Sequence, residues 1–112
     1  MEGFMDISDQ VNGEIALVQL SGRLTVNDQP GMLKDAICAV LGRGARHVLL
    51  DLSGVRYIDS TRLGELIAAH ITLTRQGGAL KLIGTPPKIV ELLALAGLDG
   101  VFKQYASIDD AN

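Results

Sequence analysis

Val48-Leu49-Leu50-Asp51-Leu52-Ser53-Gly54-Val55-Arg56-Tyr57-Ile58-Asp59-Ser60-Thr61-Arg62-Leu63-Gly64-Glu65-Leu66 is the stretch on which the fold turns. Val48 to Leu52 is a compact apolar run with one Asp, the pattern of a buried strand. A polar turn is expected after it. Asp59-Ser60-Thr61 then offers helix N-cap chemistry, and Leu63, Leu66, Ile67 and Ile71 are expected on one helical face. Two hydroxyls and a carboxylate therefore meet where a strand-loop unit gives way to a helix.

Working outward, Arg46 to Leu52 reads as the central strand. Before it, Met32, Leu33, Ala36, Ile37, Val40 and Leu41 recur at helical spacing, with Asn27 or Asp28 as cap, Pro30 in the first turn, and Gly42 to Gly44 as the stop. Earlier still, Phe4 to Val11 and Glu14 to Leu20 read as a hairpin about Asn12-Gly13, and Ser21-Gly22-Arg23-Leu24-Thr25 as a break followed by a short extended piece. After the central helix, Gly77-Gly78 stops the chain and Ala79 to Ile83 reads as a strand. Thr85 is the expected cap of a helix with Pro86 in first position, Ile89, Val90, Leu93 and Ala96 inward, and Gly97 at its end. Gly100 to Tyr105 reads as a last edge strand, and 107–112 as a polar tail. The order β-β-α-β-α-β-α-β predicts an α/β domain, a mixed sheet with packed helices.

Length and composition narrow the class. The 112 residues make one domain, 1–112, large enough for a core without metal or disulfide staples. The chain is 47% hydrophobic and 21% charged, as in globular proteins. A net charge of -3 and scattered cations argue against a nucleic-acid partner. One Cys forbids an internal disulfide and suits a reducing compartment. The acidic start, Met1 to Asp6, lacks the apolar core of a signal peptide, and no apolar run suits membrane insertion. A cytoplasmic protein is expected.

Enzymatic signatures are missing. No phosphate loop or dinucleotide fingerprint occurs. His47 and His70 have no carboxylate or thiol cluster around them in sequence, so no metal site is assigned. Cys38, among Ile37, Ala39 and Val40, reads as a small buried filler. No catalytic residue and no cofactor are assigned. The Asp59-Ser60-Thr61 junction admits two readings. It caps a helix, or it exposes a hydroxyl whose phosphorylation, adding nearly two negative charges, switches an interface off. Position alone does not choose between them.

The chain resembles the STAS domain, in particular the bacterial anti-sigma factor antagonists. The resemblance rests on the strand ending in Leu50-Asp51-Leu52 and on Asp59-Ser60-Thr61-Arg62-Leu63-Gly64, which is similar to the family's Asp-Ser-Ser-Gly-Leu-Gly. Leu20-Ser21-Gly22-Arg23-Leu24, Gly77 to Leu82, and Leu93 to Leu98 add to it. It implies a single STAS domain that binds an anti-sigma factor, itself a serine/threonine kinase, and so frees a sigma factor. The kinase would phosphorylate Thr61, which matches the family's second hydroxyl, with Ser60 as second choice, and a phosphatase would reset it. The binding face implied is Gly22, Arg23, Leu24, Thr25 and Asn27 with Asp59, Ser60, Thr61, Arg62 and Leu63. A monomer or weak dimer is expected.

Three departures matter. Thr61 replaces the usual Ser. Arg62 replaces Gly, placing a long cation beside the acceptor where it would alter the docking surface and pair with a phosphate. Thr25 stands where many antagonists carry an acid. A second reading is a constitutive STAS subunit of a lipid-transport ABC complex or a stress-signalling assembly, with Thr61 unmodified. A third is a small-molecule or nucleotide binder at the loop ends.

Overall fold

In the computed structural model, residues 6–24, 32–98, 100–107 and 110 are described. Phe4, the expected caps Asn27 and Asp28, Pro30 and most of the tail lie outside them. Strand β1 (Asp6–Asn12) turns into β2 (Ile15–Leu24). Helix α1 (Met32–Gly42), β3 (His47–Ile58), α2 (Ser60–Arg75), β4 (Ala79–Ile83), α3 (Pro87–Leu95) and β5 (Lys103–Tyr105) follow. The strands stand in sequence order, β1-β2-β3-β4-β5. β1 is antiparallel to β2, and the remaining neighbours are parallel. The mixed α/β sheet expected from the element order is present.

The hairpin turns at Gly13-Glu14, with Asn12 opposite Ile15. Gly13 has φ 65°, and no non-glycine residue among those described has positive φ, so the turn follows the II′ pattern rather than the I′ pattern of a central Asn-Gly pair.

Helices α1, α2 and α3 cover one face of the sheet. Ala16, Val18 and Leu20 of β2, Val48, Leu50 and Leu52 of β3, and Leu80 and Leu82 of β4 alternate into it. They meet Leu33, Ile37 and Val40 of α1, Leu63, Leu66 and Leu73 of α2, and Ile89 and Leu93 of α3. Each fully buried Leu or Val contributes roughly 1.5–3 kcal/mol. The inner stripes are narrower than the sequence pattern suggests. Ile71 is 44% exposed, because it lies about 140° around the helix from Leu66 at 3.6 residues per turn. Val90, one step round from buried Ile89, is 38% exposed. Cys38 is exposed rather than a buried filler, since Ile37 takes the inward position.

Two boundaries move for physical reasons. Thr85 does not cap α3. Pro86 precedes Pro87 and is held extended (φ -60°, ψ 149°), so the helix starts one residue later, with Pro86 as N-cap. Thr85 Oγ1 is left buried with no hydrogen-bond partner among the described residues. The last strand is also shorter than Gly100 to Tyr105, pairing only from Lys103.

The larger correction concerns β3. No polar turn follows Leu52: the strand runs 12 residues, to Ile58. Nor does β2 break at Ser21-Gly22, since it pairs with β3 as far as Leu24 opposite Ile58. The ladder survives because β3 holds extra residues. Gln19 faces Asp51 but Ser21 faces Gly54, and Gly22 faces Val55 but Arg23 faces Tyr57. Each shift is a bulge that turns the strand. Past Leu52 the buried residues are therefore Val55 and Ile58, three apart, instead of alternate ones.

The sheet's other face carries a small apolar patch, Leu49 and Ile83 with Leu17 and Tyr105, and a polar chain beside it. Ser8 Oγ donates to Gln19 Oε1 (3.4 Å) and Gln19 Nε2 to Asp51 Oδ2 (3.4 Å). Ser53 donates to Asp51 Oδ1 through its N–H (2.9 Å) and its hydroxyl (2.7 Å). Burial pushes the Asp51 carboxyl up, but the hydrogen bonds from Ser53 and Gln19 outweigh it and hold the group below its ordinary 3.8. A depressed folded-state value stabilises the fold above the ordinary carboxylate range, and that stabilisation is lost as pH falls through the depressed value. Ser53→Ala removes the hydroxyl donor. An NMR titration of the Asp51 carboxyl carbon is expected to show its midpoint moving up, and acid unfolding is expected to begin at higher pH. An unmoved midpoint would show that the hydroxyl contributes nothing.

Candidate functional site: the strand-helix junction

Only Asp59 separates β3 from α2. Ile58, 3% exposed, anchors the strand end in the core, and Leu63 and Leu66 anchor the first turns of the helix. Between these anchors Asp59 is extended (φ -97°, ψ 176°), and its Oδ1 accepts from the Arg62 N–H at 2.9 Å. Its carbonyl accepts from the Leu63 N–H at 3.0 Å, the first bond of the helix ladder. Asp59 is thus the N-cap, a contact worth about 1 kcal/mol, and its charge complements the helix dipole. Ser60 and Thr61 are the first and second helical residues, and both are exposed. Two hydroxyls are held outward by a backbone fixed on both sides.

The structure brings the two halves of the expected binding face together. Gly22, Arg23 and Leu24 pair with Val55, Tyr57 and Ile58, so the end of β2 lies beside the end of β3, next to the junction. Gly22 is half-buried. Thr25 and Asn27 lie outside the described residues. Leu63 is 7% exposed and faces the core.

Arg62 departs most from expectation. It is not an exposed cation beside Thr61: its side chain is 0% exposed. Its Nη1 donates to Glu65 Oε2 at 2.5 Å, and Glu65 is itself only 16% exposed. The reason is rotational. Successive helical residues point about 100° apart, so an outward Thr61 puts Arg62 round toward the protein. Glu65 Oε1 in turn lies 3.4 Å from the N–H of Lys34 in the first turn of α1. The Arg62–Glu65 pair thus ties the start of α2 to the start of α1.

A groove of about 450 Å³ opens on the other side of the junction. Ile58, Asp59, Ser60 and Leu63 line it from the junction side, and Ile89 and Leu92 of α3 with Ala96, the exposed C-cap of that helix rather than an inward residue, line it from the other. Tyr57, 46% exposed, stands at its edge with Arg56 and Lys88. Sequence reasoning missed this groove because it needs the bulged path of β3. The signal available was the three-residue spacing of Val55 and Ile58, which no alternating strand would show. His70, elsewhere on α2, packs edge-on to Phe102 at 5.3 Å, and its Nδ1 has no hydrogen-bond partner among the described residues. Among the described residues no three His, Cys, Asp or Glu side chains cluster as metal ligands, and no helix is long and apolar enough to cross a membrane.

Comparison with known proteins gives a consistent picture. A family model described as "Mlab, STAS domain" matches residues 7–104. The chain is 27% identical over 93 residues to an anti-sigma F factor antagonist of Paenibacillus polymyxa, covering 81% of this chain and 78% of that protein. It is 29% identical over 84 residues to an anti-sigma-B factor antagonist of Bacillus subtilis, covering 75% of each. The crystal structure of an anti-sigma factor antagonist from Mycobacterium paratuberculosis superposes with a TM-score of 0.81 at 26% identity, over 96% of this chain and 90% of that one.

Proposed function

Because the chain belongs to the STAS domain family, we propose that it is a phospho-regulated binding protein that captures an anti-sigma factor with serine/threonine kinase activity, frees a sigma factor, and is released by phosphorylation of Thr61. The observation that carries this reading is the exposed Ser60-Thr61 pair, held rigidly after the Asp59 cap. The names of the relatives support the same role. The domain is substrate, not catalyst. The Thr61 hydroxyl attacks the γ-phosphorus of ATP, ADP leaves, and the hydroxyl proton passes to the kinase's base. The product carries about 1.5 to 2 negative charges at an interface shaped for a neutral hydroxyl. The helix N-terminus accommodates that charge within the domain, so release needs no unfolding.

Incubation with the cognate anti-sigma kinase and ATP, read by mass spectrometry, is expected to give one phosphate per chain, on Thr61. Thr61→Ala is expected to abolish it and Ser60→Ala to leave it. A phosphate mapped to Ser60, or none, overturns the assignment. Thr61→Asp is expected to weaken partner binding, and unchanged affinity would refute the charge mechanism.

The matching family model is described by the STAS domain and names no anti-sigma role, and a second reading is a constitutive STAS subunit of a lipid-transport ABC complex or a stress-signalling assembly, with Thr61 in contact with a partner but unmodified. Affinity purification that brings down an ATPase subunit, with Thr61 unphosphorylated, would select it.

A further inference from the structure

The groove beside the junction has a composition that capping does not require. Its lining is mostly apolar, from Ile58, Leu63, Ile89 and Leu92, with Asp59 and Ser60 at the junction end. Arg56 and Lys88 line it from different elements, one near the end of β3 and one in the first turn of α3. Both are exposed, and among the described residues neither forms an ion pair or a hydrogen bond. A chain of net charge -3 thus sets two unpaired cations over an apolar groove.

We infer that this groove seats an acidic amphipathic helix of the protein partner, with its apolar side chains on the apolar lining and its carboxylates toward Arg56 and Lys88. The inference rests on the protein-binding reading above and deepens it. Charge complementarity selects the occupant. Positive charge divided between two elements matches carboxylates spaced along a helix. A fatty acid has only one charged head. A second copy meeting this face through a two-fold axis would set the same cations against each other, which is unfavourable. Exposed Tyr57 at the rim adds the kind of aromatic that dominates such interfaces. Ser60 lines the groove, and Thr61 is the next residue of α2, outside the lining.

The test is calorimetric binding of the purified cognate anti-sigma factor to wild type, Arg56→Glu/Lys88→Glu, Ala96→Trp, Thr61→Asp and Lys103→Glu, with thermal melts to verify folding. The double charge reversal is expected to weaken binding about 30-fold or more, a hot-spot loss, and to flatten its salt dependence. Ala96→Trp, which fills the groove from the C-cap of α3, is expected to weaken it comparably. Lys103→Glu, on the far edge strand, is expected to bind as wild type. If Thr61→Asp loses binding while both groove variants bind as wild type, the groove inference falls and the switch reading stands. If the groove variants lose binding and Thr61→Asp does not, the groove stands and the phospho-switch falls. No binding by wild type removes both. Sodium oleate that competes with the partner on wild type but not on Arg56→Glu/Lys88→Glu would overturn the assignment in favour of an anionic amphiphile. Self-association abolished by the same reversal would overturn it in favour of a second copy.

Discussion

Gly78→Ala is expected to abolish the cooperative fold. A Cβ built on Gly78 would lie 1.7 Å from the carbonyl oxygen of Arg46 and 2.6 Å from its carbonyl carbon. The obstacle is backbone, which has no rotamer to change. That same oxygen accepts from the Ala79 N–H at 3.1 Å, where β4 enters the sheet, and the pairs His47–Ala79 and Val48–Leu80 follow directly. The arrangement is anchored on its far side too, because the N–H groups of Arg46 and His47 donate to the Glu14 carbonyl at 2.7 and 2.9 Å. Relieving the overlap means separating the starts of β3 and β4, with Leu80 and Leu82 carried out of the core. The cost is about 4 kcal/mol or more, against a total stability of roughly 5–15 kcal/mol for such domains. Urea denaturation followed by circular dichroism is expected to show no cooperative transition, or a midpoint lowered drastically. Gly64→Ala is the control. A Cβ placed on Gly64, in α2, would meet nothing within 4 Å, and the change is expected to stabilise by about 1 kcal/mol through helix propensity. A cooperative Gly78→Ala protein with a wild-type midpoint would disprove the close approach.

Glu65→Ala is expected to be the most damaging side-chain change near the junction. The Arg62 side chain is fully buried. Removing Glu65 takes away the carboxylate that Arg62 Nη1 contacts and an anion from the N-terminal turn of α1. Breaking one side of a buried pair costs about 3–5 kcal/mol, whereas replacing both partners with apolar residues of similar volume is often neutral or stabilising. Glu65→Ala is therefore expected to lose about 3 kcal/mol in chemical denaturation. Arg62→Met/Glu65→Leu is expected to lie much closer to wild type. If the double variant is as unstable as the sum of the single changes Arg62→Met and Glu65→Leu, the pair is not coupled and the account fails.

Much of this was legible in the sequence. The element order and the capping chemistry of Asp59-Ser60-Thr61 follow from local rules of periodicity and capping that hold with little tertiary context. What stayed hidden depended on neighbours. The continuation of β3 past Leu52 requires the partner ladder on β2, and no local signal reports a bulge that another strand stabilises. Arg62 reads as a surface cation until the fold supplies partners for it, Glu65 among them. The helix spacing of Ile71 and Val90 was visible, but helical neighbours a quarter-turn apart differ in burial only once the position of the sheet is known. The groove joins β3 and α3, elements separated in the chain by all of α2 and β4. The proposed switch residue was thus singled out by the family resemblance, while its surroundings were not readable.

The single residue between β3 and α2 has one more consequence, for the lengths this chain can take. Adding one residue between Ile58 and Ser60 would turn every later position of α2 by about 100°, carrying Leu63 and Leu66 off the sheet and bringing polar positions inward. Deleting one would rotate the helix the other way and remove the cap. Substitution at the junction changes chemistry, whereas insertion or deletion changes phase. Variation in this part of the chain is therefore confined to the identity of residues, with their number held constant.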